Sequence, residues 1–217
     1  MSNQDSQALD LTTWIIDRAL SGVPPMRRSA YQVADDFIKD KKFKNNNERV
    51  ASLITWETSK NFTSGFVTGM GGIITLPVAI PAAIGASYAI QARMSGAIAR
   101  IHGHDLEDDR IRTFVLLTLA GDSAKEVLKQ AGVKIGSKVT QKLISQVPGK
   151  VLIEINKKIG FRLITKAGEK GVINLMKIVP VVGGAVAGGF DAVSCQAVGR
   201  IAHDIFRRNN GYQRKAK

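Results

Sequence analysis

Residues 61–92 read NFTSGFVTGMGGIITLPVAIPAAIGASYAIQA, and they contain no Asp, Glu, Lys, Arg or His. The run holds Gly65, Gly69, Gly71, Gly72 and Gly85, together with Pro77 and Pro81. A straight helix over this span would reach about 48 Å, well beyond the roughly 30 Å of a bilayer's hydrocarbon core. Proline lacks the N–H that a helix interior needs and clashes with the preceding turn. The segment is therefore expected to form two shorter helices that meet at a turn near Leu76–Pro81. Gly65 and Gly69 have the small-xxx-small spacing that lets helix backbones approach closely. Such a hairpin must be buried, either in lipid or in the protein's own core.

A second uncharged run follows at Ile178–Phe190, IVPVVGGAVAGGF. It echoes the first, with a proline, clustered glycines and then a Gln-Ala pair (Gln91-Ala92 and Gln196-Ala197). Each copy then reaches an Arg-Ile step near a histidine, Arg100-Ile101-His102 and Arg200-Ile201 with His203. The flanking segments carry helical spacing. Leu11, Trp14 and Ile15 share a face over residues 9–20, and Ser21-Gly22 with Pro24-Pro25 ends that helix. Tyr31, Ala34, Phe37 and Ile38 mark a helix over 29–40, and Val50, Leu53 and Ile54 another from about residue 47. After a short HGHD link, Ile111, Phe114, Val115, Leu117 and Leu119 make the next helix apolar enough to be central. Asp105 is its expected N-cap, with Glu107, Asp108 and Asp109 near the positive end of the helix dipole. The expected fold class is all-α: a multi-helix bundle of about eight to ten helices around two Gly/Pro-rich apolar helical hairpins.

The chain has 217 residues and 44% hydrophobic content, enough for a sizeable core. A mean hydropathy of -0.01 excludes a chain that is mostly membrane-embedded and remains compatible with one inserted hairpin. Cys195 is the only cysteine, so no internal disulfide exists, which fits a reducing compartment. The opening MSNQDSQALD lacks the basic and then apolar pattern of a secretory leader. The expected location is the cytoplasm or the cytoplasmic face of a membrane.

The net charge of +13 is concentrated. Residues 129–177 hold eleven Lys or Arg against two Asp or Glu. Lys134, Lys138 and Lys142 fall at i, i+4 and i+8, the spacing of one helical stripe. After a break at Pro148-Gly149, Lys150, Lys157 and Lys158 continue the charge. Val151, Leu152, Ile155, Ile159 and Leu163 form the inner stripe of that second piece. A concentrated field attracts an anionic partner. Nucleic acid is disfavoured, because Phe161 is the stretch's only aromatic residue available to stack on bases. An anionic membrane surface, or a membrane protein, needs only charge beside an apolar face. A merely solvated cationic face is the bland alternative.

Catalytic signatures are sparse. No GxxxxGK[ST] or GxSxG occurs, and no GxGxxG follows a strand-like run. His102, His104, Asp105, Glu107, Asp108 and Asp109 have metal-ligand chemistry, with His203 as the third imidazole if it folds in. Ordinary acidic capping of a helix junction competes with that reading. Cys195, His203 and Asp204 have the residue types of a nucleophile, base and orienter. Eight residues along a helix is about 12 Å, too far for direct contact between Cys195 and His203. Asp191, after an uncharged run, calls for a cationic partner such as Arg93, Arg100 or Arg200. No cofactor, metal or catalytic residue is assigned from the sequence.

The run GFVTGMGGIITLPVAIPAAIGASYAIQARMSGAIARIHGHDLEDDRIRTFVLLTLAG, followed later by KIVPVVGGAVAGGFDAVSCQAVGRIAHDIF, resembles the EcsC protein family. The resemblance runs from about Thr55 to Phe206. Positions that match the family pattern are Gly71, Gly72, Pro77, Gln91, Asp105, Arg110, Pro180, Gly183, Gly184 and Asp191. The family takes its name from a protein encoded beside an ABC exporter, and it brings no settled activity and no catalytic residues to carry over. The resemblance sets an N-terminal helical region (1–54) apart from an EcsC-like helical domain (55–206), and the polar composition of RRNNGYQRKAK marks 207–217 as an expected basic mobile tail. The expected function is that of a non-enzymatic, membrane-associated accessory protein that binds lipid or supports an exporter. Its apolar hairpin and Lys134, Lys138, Lys142, Lys150, Lys157 and Lys158 would make the contact. The alternatives are a soluble helical protein-interaction module, and an enzyme or metal-binding protein with its site near His102–Asp109 and His203.

Overall fold

The computed structural model describes residues 2–22, 28–63, 77–78, 80, 82–136, 139–176 and 183–207. Side-chain surroundings are described over the same spans except 60–63, 82–83, 169–176 and 183–192. Among the described residues the chain forms nine α-helices and no strand, so the expected all-α bundle is what the sequence builds. In order these are α1 (Asn3–Ser21), α2 (Ala30–Lys39), α3 (Asn46–Thr63), α4 (Ala82–Ile101), α5 (Asp109–Thr118), α6 (Ala124–Gln130), α7 (Gln141–Gln146), α8 (Gly149–Met176) and α9 (Gly183–Phe206). A 3₁₀ turn at Gly121–Ser123 separates α5 from α6, where Gly121-Asp122-Ser123 interrupts the apolar pattern.

The end of the uncharged run forms the first half of the helix at the centre of this bundle. Pro77, Val78 and Ile80 lie in bends, as the prolines demand, and α4 starts directly after Pro81. Residues 64–76, with Gly71 and Gly72, lie outside the described residues. Helix α4 is apolar nearly all round, and such a helix has to be enclosed. It packs against α1, α2, α3, α5 and α9. Ala86, Tyr88, Ala89, Ala92, Met94, Ala97, Ile98 and Ala99 are all buried. Their small side chains bring the neighbours close: a Cβ on Gly96 would sit 3.1 Å from the Ala30 methyl. Over residues 84–92, then, the uncharged segment is covered by protein. No described helix is long and apolar enough to cross a membrane. In the second uncharged run, 178–182 lies outside the described residues and Gly183–Phe190 opens α9.

Local chemistry sets the helix ends. Gly22 closes α1 with φ +72°, a left-handed conformation natural to glycine, and a Cβ there would lie 2.8 Å from the Ser29 nitrogen. Ser29 then caps α2. Its hydroxyl accepts from the Gln32 N–H while the Gln32 side chain accepts from the Ser29 N–H. Ser29→Ala removes one half of this reciprocal pair at a buried position. It is expected to lower stability by about 1 kcal/mol, read from the urea midpoint at unchanged slope.

Two expectations need correction. The N-cap of α5 is Asp108, whose Oδ1 accepts from the Arg110 N–H at 2.8 Å, and not Asp105. Leu106 is buried at 1% exposure and anchors the turn, so the helix starts one turn later. Asp105 instead accepts from the Glu107 N–H within that turn. Nor do Lys134 and Lys142 belong to one helical stripe. Gly132, at φ +79°, ends α6, and residues 133–136 are not helical. Val133 and Ile135 pack on the core while Lys134 points out, an alternation of period two that overrides the four-residue lysine spacing. Lys138 lies outside the described residues, and Lys142 sits on the separate short helix α7, capped by Thr140. The break at Pro148 holds. The inner stripe of α8 forms as expected, with Leu152, Ile155, Ile159 and Leu163 buried and Val151 partly so.

Candidate functional site

The histidines converge where the C-terminal end of α4 meets the C-terminal end of α9. His102 and His203 stack edge to face with ring centroids 5.2 Å apart. His104 is buried, with its Nε2 2.9 Å from the Phe206 carbonyl oxygen. His203 therefore does fold in toward the HGHD link. The carboxylates do not join it. Asp105 and Glu107 are exposed, and Glu107 is engaged by the Tyr31 hydroxyl and by Arg112. Burial first, and then Glu107, push the Tyr31 hydroxyl up to about 12. Asp108 is the α5 cap, and Asp109 is exposed. Among the described residues no three His, Cys, Asp or Glu side chains are grouped to hold a metal ion. The contacts join the HGHD link to the C-terminal end of α9.

Burial holds the His203 imidazole below the ordinary histidine range, with Arg207 acting in the same direction and Asp204 opposing it. The unfolded chain binds this proton near pH 6.5, above the folded value. The stability linked to His203 is therefore present above about pH 6.5 and is lost as pH falls through the folded value. The urea midpoint is expected to drop between about pH 7.5 and about pH 5.5, and His203→Gln to flatten that drop.

The Cys195 thiol is buried and lies 3.8 Å from the Met94 sulfur, on α9 two turns before His203. His203 stacks on His102. Arg93 and Arg100 bind Glu57 and Asp35. The Asp191 side chain lies outside the described residues, so no partner is assigned to it.

Other family-pattern positions are structural where they can be seen. Gln91 is buried and donates to the Ser87 hydroxyl at 3.2 Å, whereas Gln196 is exposed, so the two Gln-Ala steps are not equivalent. Pro77 is exposed in its bend. Arg110 donates to the Val147 carbonyl at 3.3 Å, tying α5 to the residue before Pro148. Pro180 lies outside the described residues. Gly183 and Gly184 open α9, and their surroundings are not described.

The remaining concentration of chemistry is the outer face of α8. Lys134, Lys142 and Lys150 are exposed, and Lys157 and Lys158 are partly so. Opposite the buried stripe, Ile153 is 52% and Phe161 55% exposed. They sit eight residues apart, and so on one helical face. Lys157 reaches Asp5 at 3.8 Å and Glu154 at 3.9 Å, and Lys158 reaches Glu154 at 3.5 Å. These are long, wet pairs that hold little energy. With the first turns of α1 and with α6, this face borders an open cleft of about 710 Å³. Sequence reading recognised the lysines and missed the exposure of Ile153 and Phe161. The signal was available: residues 153, 157, 161 and 165 lie opposite the inner stripe.

A family model for the EcsC protein family matches residues 14–209. No curated protein and no solved structure matches the chain. The match takes in α2 to α9 and part of α1, including helices upstream of Thr55, where the residue-level resemblance begins. With most of its length covered, the chain belongs to the EcsC protein family.

Proposed function

We propose that this is a non-enzymatic accessory protein that sits peripherally on an anionic membrane surface, at the cytoplasmic face, with the outer side of α8 as its contact. Lipid binding or support of an exporter are the roles such a surface would serve. One observation supports this above all: Ile153 and Phe161 stand exposed in a field of Lys150, Lys157, Lys158 and Arg162. Each cation near an anionic leaflet contributes about 1 kcal/mol, and the apolar side chains add burial at the headgroup boundary. Relative to the sequence reading, the contact keeps Lys150, Lys157 and Lys158 and leaves out the uncharged hairpin, whose 84–92 portion is covered by protein.

Co-sedimentation with lipid vesicles tests the proposal. At low salt the protein is expected to bind phosphatidylglycerol-containing vesicles and to ignore pure phosphatidylcholine. The triple variant Lys157→Glu, Lys158→Glu, Arg162→Glu is expected to lose about tenfold or more in binding. Raising the salt should weaken binding, with a residue retained if Phe161 and Ile153 insert. Equal binding to both vesicle types, or none to either, contradicts the proposal. The second outcome would favour a soluble helical interaction module, a reading supported by the enclosure of residues 84–92.

A further inference from the structure

Resting on that reading, we infer that the cleft between α1 and α8 is a binding site for one anionic amphiphile: a phosphate group carried on an apolar chain. Three cations stand on one line of α8, because Lys158, Arg162 and Lys166 are spaced i, i+4, i+8 and all border the cleft. No carboxylate among the described residues pairs with Arg162. A guanidinium offers a planar fork of donors that matches two phosphate oxygens. The amide of Gln4 on α1 borders the same space and can supply a neutral donor, while Gln130 on α6 lines it with its Nε2 donating to Glu126 at 3.0 Å. Phe161 lies beside Arg162 and is 55% exposed, which gives the cleft an apolar side next to its cationic one.

Size favours an amphiphile over a bare anion. About 710 Å³ falls within the range of sites that take small organic ligands, and a lone phosphate would fill little of it. The opposing charges are Asp5 and Glu154, which border the cleft and reach Lys157 and Lys158 only at 3.5 to 3.9 Å. A phosphate would compete for Lys158 and would be repelled by Glu154. The sign of each variant's effect follows from this: removing the Arg162 charge weakens binding, and removing the Glu154 charge strengthens it.

The experiment is a calorimetric titration of the full chain with dihexanoyl phosphatidic acid below its micelle concentration, with inorganic phosphate and dihexanoyl phosphatidylcholine as comparison ligands. Saturable binding of one short-chain phosphatidate per chain is expected, with inorganic phosphate and the zwitterionic lipid each at least about tenfold weaker. Arg162→Gln is expected to weaken phosphatidate about tenfold and Glu154→Gln to strengthen it, with circular dichroism unchanged for both. No saturable binding, an unaltered affinity in Arg162→Gln, or equal binding of inorganic phosphate overturns the site. If short-chain phosphatidate fails while anionic vesicles still bind, the site is wrong and the surface reading stands. If both fail, both are wrong.

Discussion

Gly160→Ala is expected to destabilise the protein by about 3 kcal/mol, a large effect for one methyl group. Gly160 sits on α8 where that helix packs against α1. A Cβ at this position would lie 2.1 Å from the Ala8 carbonyl oxygen and 2.6 Å from its carbonyl carbon. These are backbone atoms, which cannot turn aside as a side-chain tip can. The two helices would have to separate, and buried neighbours such as Leu11 and Ile159 would lose contacts along the seam. Gly168 is the internal control. It lies on the same helix with nothing within 4 Å of its would-be Cβ, so Gly168→Ala is expected to stabilise by about 0.5–1 kcal/mol through helix propensity alone. Urea denaturation of both variants reads the difference. Equal shifts would show that α1 and α8 are not in close backbone contact.

Glu57→Ala is expected to cost about 3–5 kcal/mol. The Glu57 side chain is fully buried on α3, and that of Arg93 on α4 is only 12% exposed. One guanidinium nitrogen of Arg93 donates to both carboxylate oxygens of Glu57 at 2.8 Å. Removing Glu57 leaves a cation in a low-dielectric setting without this carboxylate. Arg93→Met is expected to be destabilising as well, because it removes the cation that faces the buried carboxylate. The double variant Glu57→Leu with Arg93→Met removes both charges and should recover most of the loss. A thermodynamic cycle over the four proteins measures the coupling, and additive losses would contradict the buried pair.

These two sites show what the sequence could and could not reveal. The helical bundle was legible because Pro77, Pro81, Gly22 and Pro148 punctuate it, and because inner positions such as Ile155, Ile159 and Leu163 recur at helical spacing. The end of the uncharged run nearest Arg93 was legible as something that must be covered. What covered it was not, since apolarity does not distinguish lipid from neighbouring helices. Asp191 was recognised as needing a cation, with Arg93 one of three candidates. Glu57 was not linked to Arg93, because its partner stands 36 residues away across a tertiary contact. The basic stretch misled where local alternation competed with a longer period: Val133 and Ile135 pack on the core in a non-helical segment, so Lys134 never joins a helical stripe. On α8 the lysines were visible in composition alone, whereas the exposed Phe161 required knowing which side of the helix the core takes.

The contact itself is tested most directly by depth measurement with nitroxide labels, one attached at Phe161→Cys on α8 and one at Ala51→Cys on the exposed side of α3. Native Cys195 is buried at 4% exposure and spares the labelling chemistry. If α8 faces the membrane, adding phosphatidylglycerol vesicles shields the label at 161 from a water-soluble relaxing agent and exposes it to oxygen dissolved in the lipid. The label at 51 stays in water. Equal accessibility at the two positions, with vesicles bound, would contradict an α8 contact.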